Sequence, residues 1–155
     1  MDNSTKLAPN FTFGELTSTG QTALLAKNRE EALQFIDAGK ALAAMMQVVR
    51  DHYKKPVIIH SAFRGPSVNA AVGGSKTSQH MKFEACDFHV EGETLQDVFN
   101  WIRKSSGLKY GQVILEGRQP GKPTWIHLSL GEPWRDPKNC RQQLSFDGSK
   151  YTTVA

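Results

Sequence analysis

At 155 residues the chain is long enough for one domain whose core needs no disulfide or metal staple. Hydrophobic residues at 39% and charged residues at 22% exclude a disordered chain, and no apolar run reaches the length of a membrane span. The formal charge of +4 and pI near 9.1 suit an anionic partner without requiring one; with no Lys/Arg run and no basic-aromatic stripe, nothing points to nucleic acid.

Cys86 and Cys140 lie far apart and form no CxxC, so neither a disulfide scaffold nor a thiolate zinc knuckle is expected, and Cys86 reads as a small core residue. The start, "MDNSTKLAPNFTFGEL", carries no basic segment followed by an apolar run. A cytoplasmic origin is therefore expected. Turn residues at Pro9, Gly14 and Gly20 predict a loop with one helical turn over "NFTFGELTSTGQTALLAKN". From Arg29 to about Tyr53 a broad apolar stripe (Leu33, Ile36, Leu42, Met46, Val49) predicts a helix, with Gly39 as a possible interruption.

Pro56 ends that region, and "VIIHSAF" follows as a buried strand. "RGPSVNAAVGGSKTSQH" is punctuated by Gly65, Pro66, Gly73 and Gly74, which predicts a long loop with a short helix over residues 67–72. Such loops on a rigid frame are where sites sit. "EACDFHV" alternates with period two and reads as a strand. "TLQDVFNWIRKS" reads as an amphipathic helix capped by Thr94, with Asp97 at the capping-box position and Gly107 beyond its end. The strands "GQVILEG" and "TWIHLSL" form a hairpin across "RQPGKP", and the polar tail after Pro133 is expected to be irregular. The sum is a single α+β domain over residues 1–155: a small antiparallel sheet flanked by helices.

In an alternating strand one face is core, so the other can be read for chemistry. Cys86, Phe88 and Val90 share one face of "EACDFHV", leaving Ala85, Asp87 and His89 opposite. Ile126, Leu128 and Leu130 share one face of "TWIHLSL", leaving Trp125, His127 and Ser129 opposite. If the two strands are neighbours, Asp87 and His127 lie side by side and His80 reaches in from the preceding loop. Two imidazoles and a carboxylate, with a fourth position for water, are the ligand set of a hydrolytic zinc site. Such a site needs a further carboxylate as base. Glu116 is the candidate, because it ends the strand that the hairpin pairs with the one carrying His127; Glu132 and Glu84 are weaker alternatives. Arg64 is a candidate clamp for a substrate carboxylate. His52, His60 and His89 have no spacing partner and read as structural or surface residues, with His89 the nearest to a supporting role.

Together "FTFGELTST", "VIIHSAFRGPSVNAAVGGSKTSQHMKFEACDF" and "WIHLSL" resemble the M15 peptidase family, over about residues 11–130. These are zinc D-alanyl-D-alanine carboxypeptidase-like enzymes, related in fold to lysostaphin and the hedgehog signalling domain, and the likeness is to small phage and bacterial members. The family motif is Ser, any residue and His, six residues to Asp, then a distant Trp, any residue and His. Here these are Ser78, His80, Asp87, Trp125 and His127. The resemblance implies one Zn2+ on His80, Asp87 and His127, with substrate contacts at Arg64, Ser78 and Trp125. Many members carry the base three residues before the last ligand, where this chain has Thr124; in the small members a Glu ends the preceding strand, as Glu116 does in "VILEG". Where the family usually has Gly, three residues after the His, this chain has Phe83. Either Phe83 adopts a backbone φ above zero, or it walls the cleft as a further substrate contact.

The implied activity is hydrolysis of peptide bonds in peptidoglycan stem peptides, by a monomer that reaches the wall after phage lysis or as part of a virion. The alternative is a non-catalytic wall-binding or virion module that keeps the fold and a zinc.

Overall fold

A computed structural model describes residues 1–155. Its centre is a six-stranded sheet in the order β3-β4-β6-β5-β7-β8. These strands span Val57–Ser61 (β3), Ala85–Val90 (β4), Tyr110–Gln119 (β5), Lys122–Leu130 (β6), Gln142–Phe146 (β7) and Tyr151–Thr153 (β8). A two-stranded ladder, β1 (Lys6–Ala8) with β2 (Phe11–Thr12), precedes it. All neighbours in the large sheet are antiparallel except β5 and β7, which are parallel. The fold is α+β, as the sequence predicts.

The helices are α1 (Phe13–Leu16), α2 (Leu25–Ala32), α3 (Ile36–Tyr53), α4 (Pro66–Val72) and α5 (Leu95–Lys104). The alternation in β4 and β6 decides which face they cover. Cys86, Phe88 and Val90, with Ile126, Leu128 and Leu130, join Leu42, Met46 and Val49 of α3 and Val98, Phe99 and Ile102 of α5 in one buried cluster. Burying such side chains contributes roughly 1.5–3 kcal/mol each before chain entropy is set against it. The opposite face of the sheet is left for the polar side chains.

Local signals explain the boundaries. Thr12 and Thr94 cap α1 and α5 by accepting from Glu15 N and Asp97 N, both at 3.1 Å. Lys54 closes α3 in the left-handed conformation, two residues before Pro56. Gly73, at φ +69°, closes α4.

Three expectations are corrected. The helix expected from Arg29 begins at Leu25 and is broken by a 3-10 turn over Leu33–Phe35, not at Gly39. Gly39 lies inside α3, at a position where a Cβ would meet the Phe83 ring at 2.8 Å. The tail after Pro133 is not irregular: β7 pairs along the free edge of β5, and β8 folds back on β7. The sheet is thus extended by one parallel pair that the polar tail sequence did not announce.

Candidate active site

The ladder between β4 and β6 sets Asp87 directly opposite His127. Both side chains point away from the helical face, as the alternation requires. His80 comes from a 3-10 turn, Gln79–Lys82, that crosses above them. Ser78 caps that turn, its Oγ accepting from His80 N at 3.2 Å. His80, Asp87 and His127 are all buried, and their ligand atoms lie within 4.8 Å of one another.

The hydrogen bonds show why these three groups suit a cation. His80 Nδ1 donates to the Ala62 carbonyl at 2.7 Å, because a carbonyl oxygen only accepts. Its Nε2 lone pair therefore faces Asp87 Oδ2, 3.2 Å away. His127 Nε2 donates to Gln79 Oε1 at 2.9 Å, which turns its Nδ1 lone pair toward Asp87 Oδ1, also at 2.9 Å. Two imidazole lone pairs and a carboxylate thus converge in a buried volume. Such an arrangement is repulsive unless positive charge lies between the groups. A divalent metal answers it with two neutral imidazoles and one anion, and the outer partners Ala62 O and Gln79 Oε1 hold both rings in the required tautomer. Burial by itself would favour protonated Asp87, but positive charge and hydrogen-bond donation from the imidazole side overcome it and hold the carboxyl well below the usual carboxylate range.

Glu116 stands beside the triad. Its Oε1 is 4.0 Å from His127 Nδ1, and its Oε2 accepts from Trp125 Nε1 at 2.8 Å. Trp125 is its cross-strand partner in the hairpin, so ladder register and hydrogen bond fix the carboxylate together. Burial, and then the Asp87 charge, push the Glu116 carboxyl up, against the pull of His127 and Trp125. A carboxylate of raised basicity next to three metal-capable groups is the arrangement of a general base.

The triad and Glu116 line one polar cleft of about 430 Å³, together with Arg64, Ser78 and Trp125. Arg64 donates to Ser78 Oγ at 3.3 Å, while its Nε is buried without a partner. Of the other carboxylates considered from the sequence, Glu84 and Glu132 do not line the cleft.

Phe83 is the clear correction among the site residues. It is not a wall of the cleft: it is fully buried in the core, its ring 5.2 Å from that of Phe63. Its backbone is left-handed, φ +62° and ψ 31°, and its N–H turns back to the carbonyls of Gln79 and His80. The position therefore needs the conformation that glycine adopts most readily, and this chain fills it with a core aromatic. His60 and His89, unpartnered in sequence, meet across β3 and β4 with their ring nitrogens 2.7 Å apart. Sequence reasoning missed Gln79, Gln112, Ile114, Arg135 and Tyr151, which also line the cleft. Only Gln79 had a signal, its place beside His80. Arg135 and Tyr151 lie in the tail, whose fold was not legible.

No curated protein matches the chain. The family model described as Peptidase M15 matches residues 10–129, most of the chain and a range that contains the whole triad, and the protein belongs to the M15 peptidase family.

Proposed function

We propose that this protein is a zinc metallopeptidase that hydrolyses peptide bonds in peptidoglycan stem peptides, trimming a terminal D-alanine or cutting a nearby bond. The observation that carries the reading is Glu116, a carboxylate of raised basicity held by Trp125 at 4.0 Å from the metal-facing nitrogen of His127. A module that only bound cell wall would have no use for that carboxylate beside an open metal position.

A zinc ion on His80, Asp87 and His127 would supply Lewis-acid polarisation of the scissile carbonyl and acidify a water nearby. The protein's own groups do the rest. Glu116 accepts the proton from the attacking water and returns it to the nitrogen of the leaving amine. Arg64, with its stem held beside Ser78, binds a carboxylate or neighbouring polar group of the substrate. Trp125 keeps the base from rotating away. The net charge of +4 suits an anionic wall, reached after phage lysis or from a virion by a protein acting as a monomer.

The test is mass spectrometry of purified muropeptides incubated with the zinc-loaded protein, with and without chelator. Release of D-alanine or of a cleaved stem that stops on chelation is expected. Tight zinc binding with no turnover of any muropeptide would sink the proposal.

A further inference from the structure

The cleft contains a second guanidinium that neither the sequence reading nor the matched family region includes. Arg135 follows the last residue of that region by six positions, in the segment that leads into β7. Its backbone N–H donates to Gly131 O at 3.1 Å, its Nε to Asn139 O at 2.7 Å, and one terminal nitrogen reaches Gln142 Oε1 at 3.5 Å. Its aliphatic stem crosses β5 where Gly111 leaves room, since a Cβ there would lie 2.8 Å from Arg135 Cδ. The side chain is thus seated by a glycine, a carbonyl and the tail strand, and it lines the same cleft as the triad.

The charges in the cleft can be counted. Arg64 and Arg135 are positive, Asp87 and Glu116 are negative, and no other lining residue carries a fixed charge. None of the chain's ion pairs involves either arginine. The buried Nε of Arg64 has no partner at all. A divalent cation on the triad offsets the two carboxylates and leaves the two guanidiniums with no lining carboxylate of their own in a partly enclosed space, where charge is poorly screened; Glu84, which feels the Arg135 charge, lies outside the cleft. Guanidinium matches a carboxylate in shape and in hydrogen-bond donors.

Resting on the peptidase reading above, we infer that the cleft selects peptides carrying two carboxylates, and that Arg135 is the specificity-determining residue for the second. Arg64 binds one anionic group and Arg135 the other, on the side of the cleft built by the tail. The reacting bond lies over Glu116 and the triad. A peptide with a single carboxylate leaves one arginine unanswered, and a neutral one leaves both.

The test uses the synthetic stem peptide L-Ala-γ-D-Glu-L-Lys-D-Ala-D-Ala, which has a glutamyl α-carboxylate and a C-terminal carboxylate. Three further forms have one, the other, or both as the amide. With the zinc-loaded wild type, each amide is expected to raise KM about ten- to a hundred-fold, the range for losing a charge-assisted hydrogen bond. Arg135→Gln is expected to stop distinguishing acid from amide at one of the two positions while still distinguishing them at the other. Arg135→Lys should recover part of that discrimination, which a merely structural role would not produce. Equal KM for all four peptides, or Arg135→Gln that leaves both discriminations intact, overturns the inference while cleavage still upholds the peptidase. Calorimetric binding to the same zinc-loaded protein separates the two ideas from the other side. Binding that weakens with each amide, without cleavage, supports the two-carboxylate cleft and removes the peptidase reading.

Discussion

The Phe83 ring fills the space that a Cβ on Gly39 would need, which gives a prediction with a change of sign. Replacing Phe83 by Gly removes a fully buried ring, a loss of about 3–5 kcal/mol for comparable truncations. It also relieves a left-handed backbone at φ +62°, worth about 1 kcal/mol when glycine takes over. The net expectation is destabilisation by about 2–4 kcal/mol, a fall in Tm on the order of 10 °C for a domain of this size. Gly39→Ala in the natural protein would put a methyl 2.8 Å from two ring atoms of Phe83. That overpacking costs about 1–3 kcal/mol and outweighs or cancels the roughly 1 kcal/mol that Ala brings to a helix interior. In the Phe83→Gly protein the same Gly39→Ala change has no ring to meet and is expected to stabilise by about 1 kcal/mol. Denaturant unfolding of the four proteins measures the cycle. If Gly39→Ala has the same effect in both backgrounds, Phe83 does not occupy the space described. Because Phe83 lies outside the cleft, KM of the folded Phe83→Gly protein should equal that of the natural one. A shift in KM would restore Phe83 as a cleft wall.

Other measurements test the site and the frame. Glu116→Gln should lower kcat by about 10²–10⁴ while zinc binding is retained, since the carboxylate is not among the ligands; unchanged turnover in a zinc-loaded variant would move the base elsewhere. Gln79→Leu removes the acceptor that holds the His127 tautomer and should weaken zinc binding about ten- to a hundred-fold in chelator competition. Gln79→Glu, which keeps an acceptor there, should bind nearly as well, and equal affinity in all three would refute the role. Tyr53 is pushed up to about 12, by burial first and by the charges of Glu93 and Asp97 after it. A pKa raised above the unfolded value contributes stability that is whole below about pH 10 and is lost as pH rises toward the folded value. Alkaline unfolding should therefore be steeper between pH 10 and 12 in the natural protein than in Tyr53→Phe, and identical profiles would count against it.

Much of the site was legible because β-strands carry it. A period of two assigns every residue of β4 and β6 to a face once the apolar members are known, and Asp87 and His127 follow without any tertiary information. The motif spacing placed His80 with them. Arg135 and Tyr151 were not legible because nothing in a polar tail states what it will lie against. The tail strand "QQLSF" is half-buried at the edge of the sheet. Its mixed polarity reads equally well as a loop, and only the unpaired edge of β5 turns it into a strand.

By itself, the sequence determined the α+β class, the helical and polar faces of the central strands, and the identity of three metal-capable residues with a nearby carboxylate. These depend on local periodicity and on spacing along the chain, which survive without knowledge of neighbours. Tertiary structure alone decided the rest. It oriented both imidazoles through Ala62 O and Gln79 Oε1. It placed Phe83 in the core rather than the cleft, and brought Arg135 across Gly111 to the cleft that holds the triad. Each of these is a contact between residues distant in sequence, set by how elements pack rather than by the pattern within any one of them.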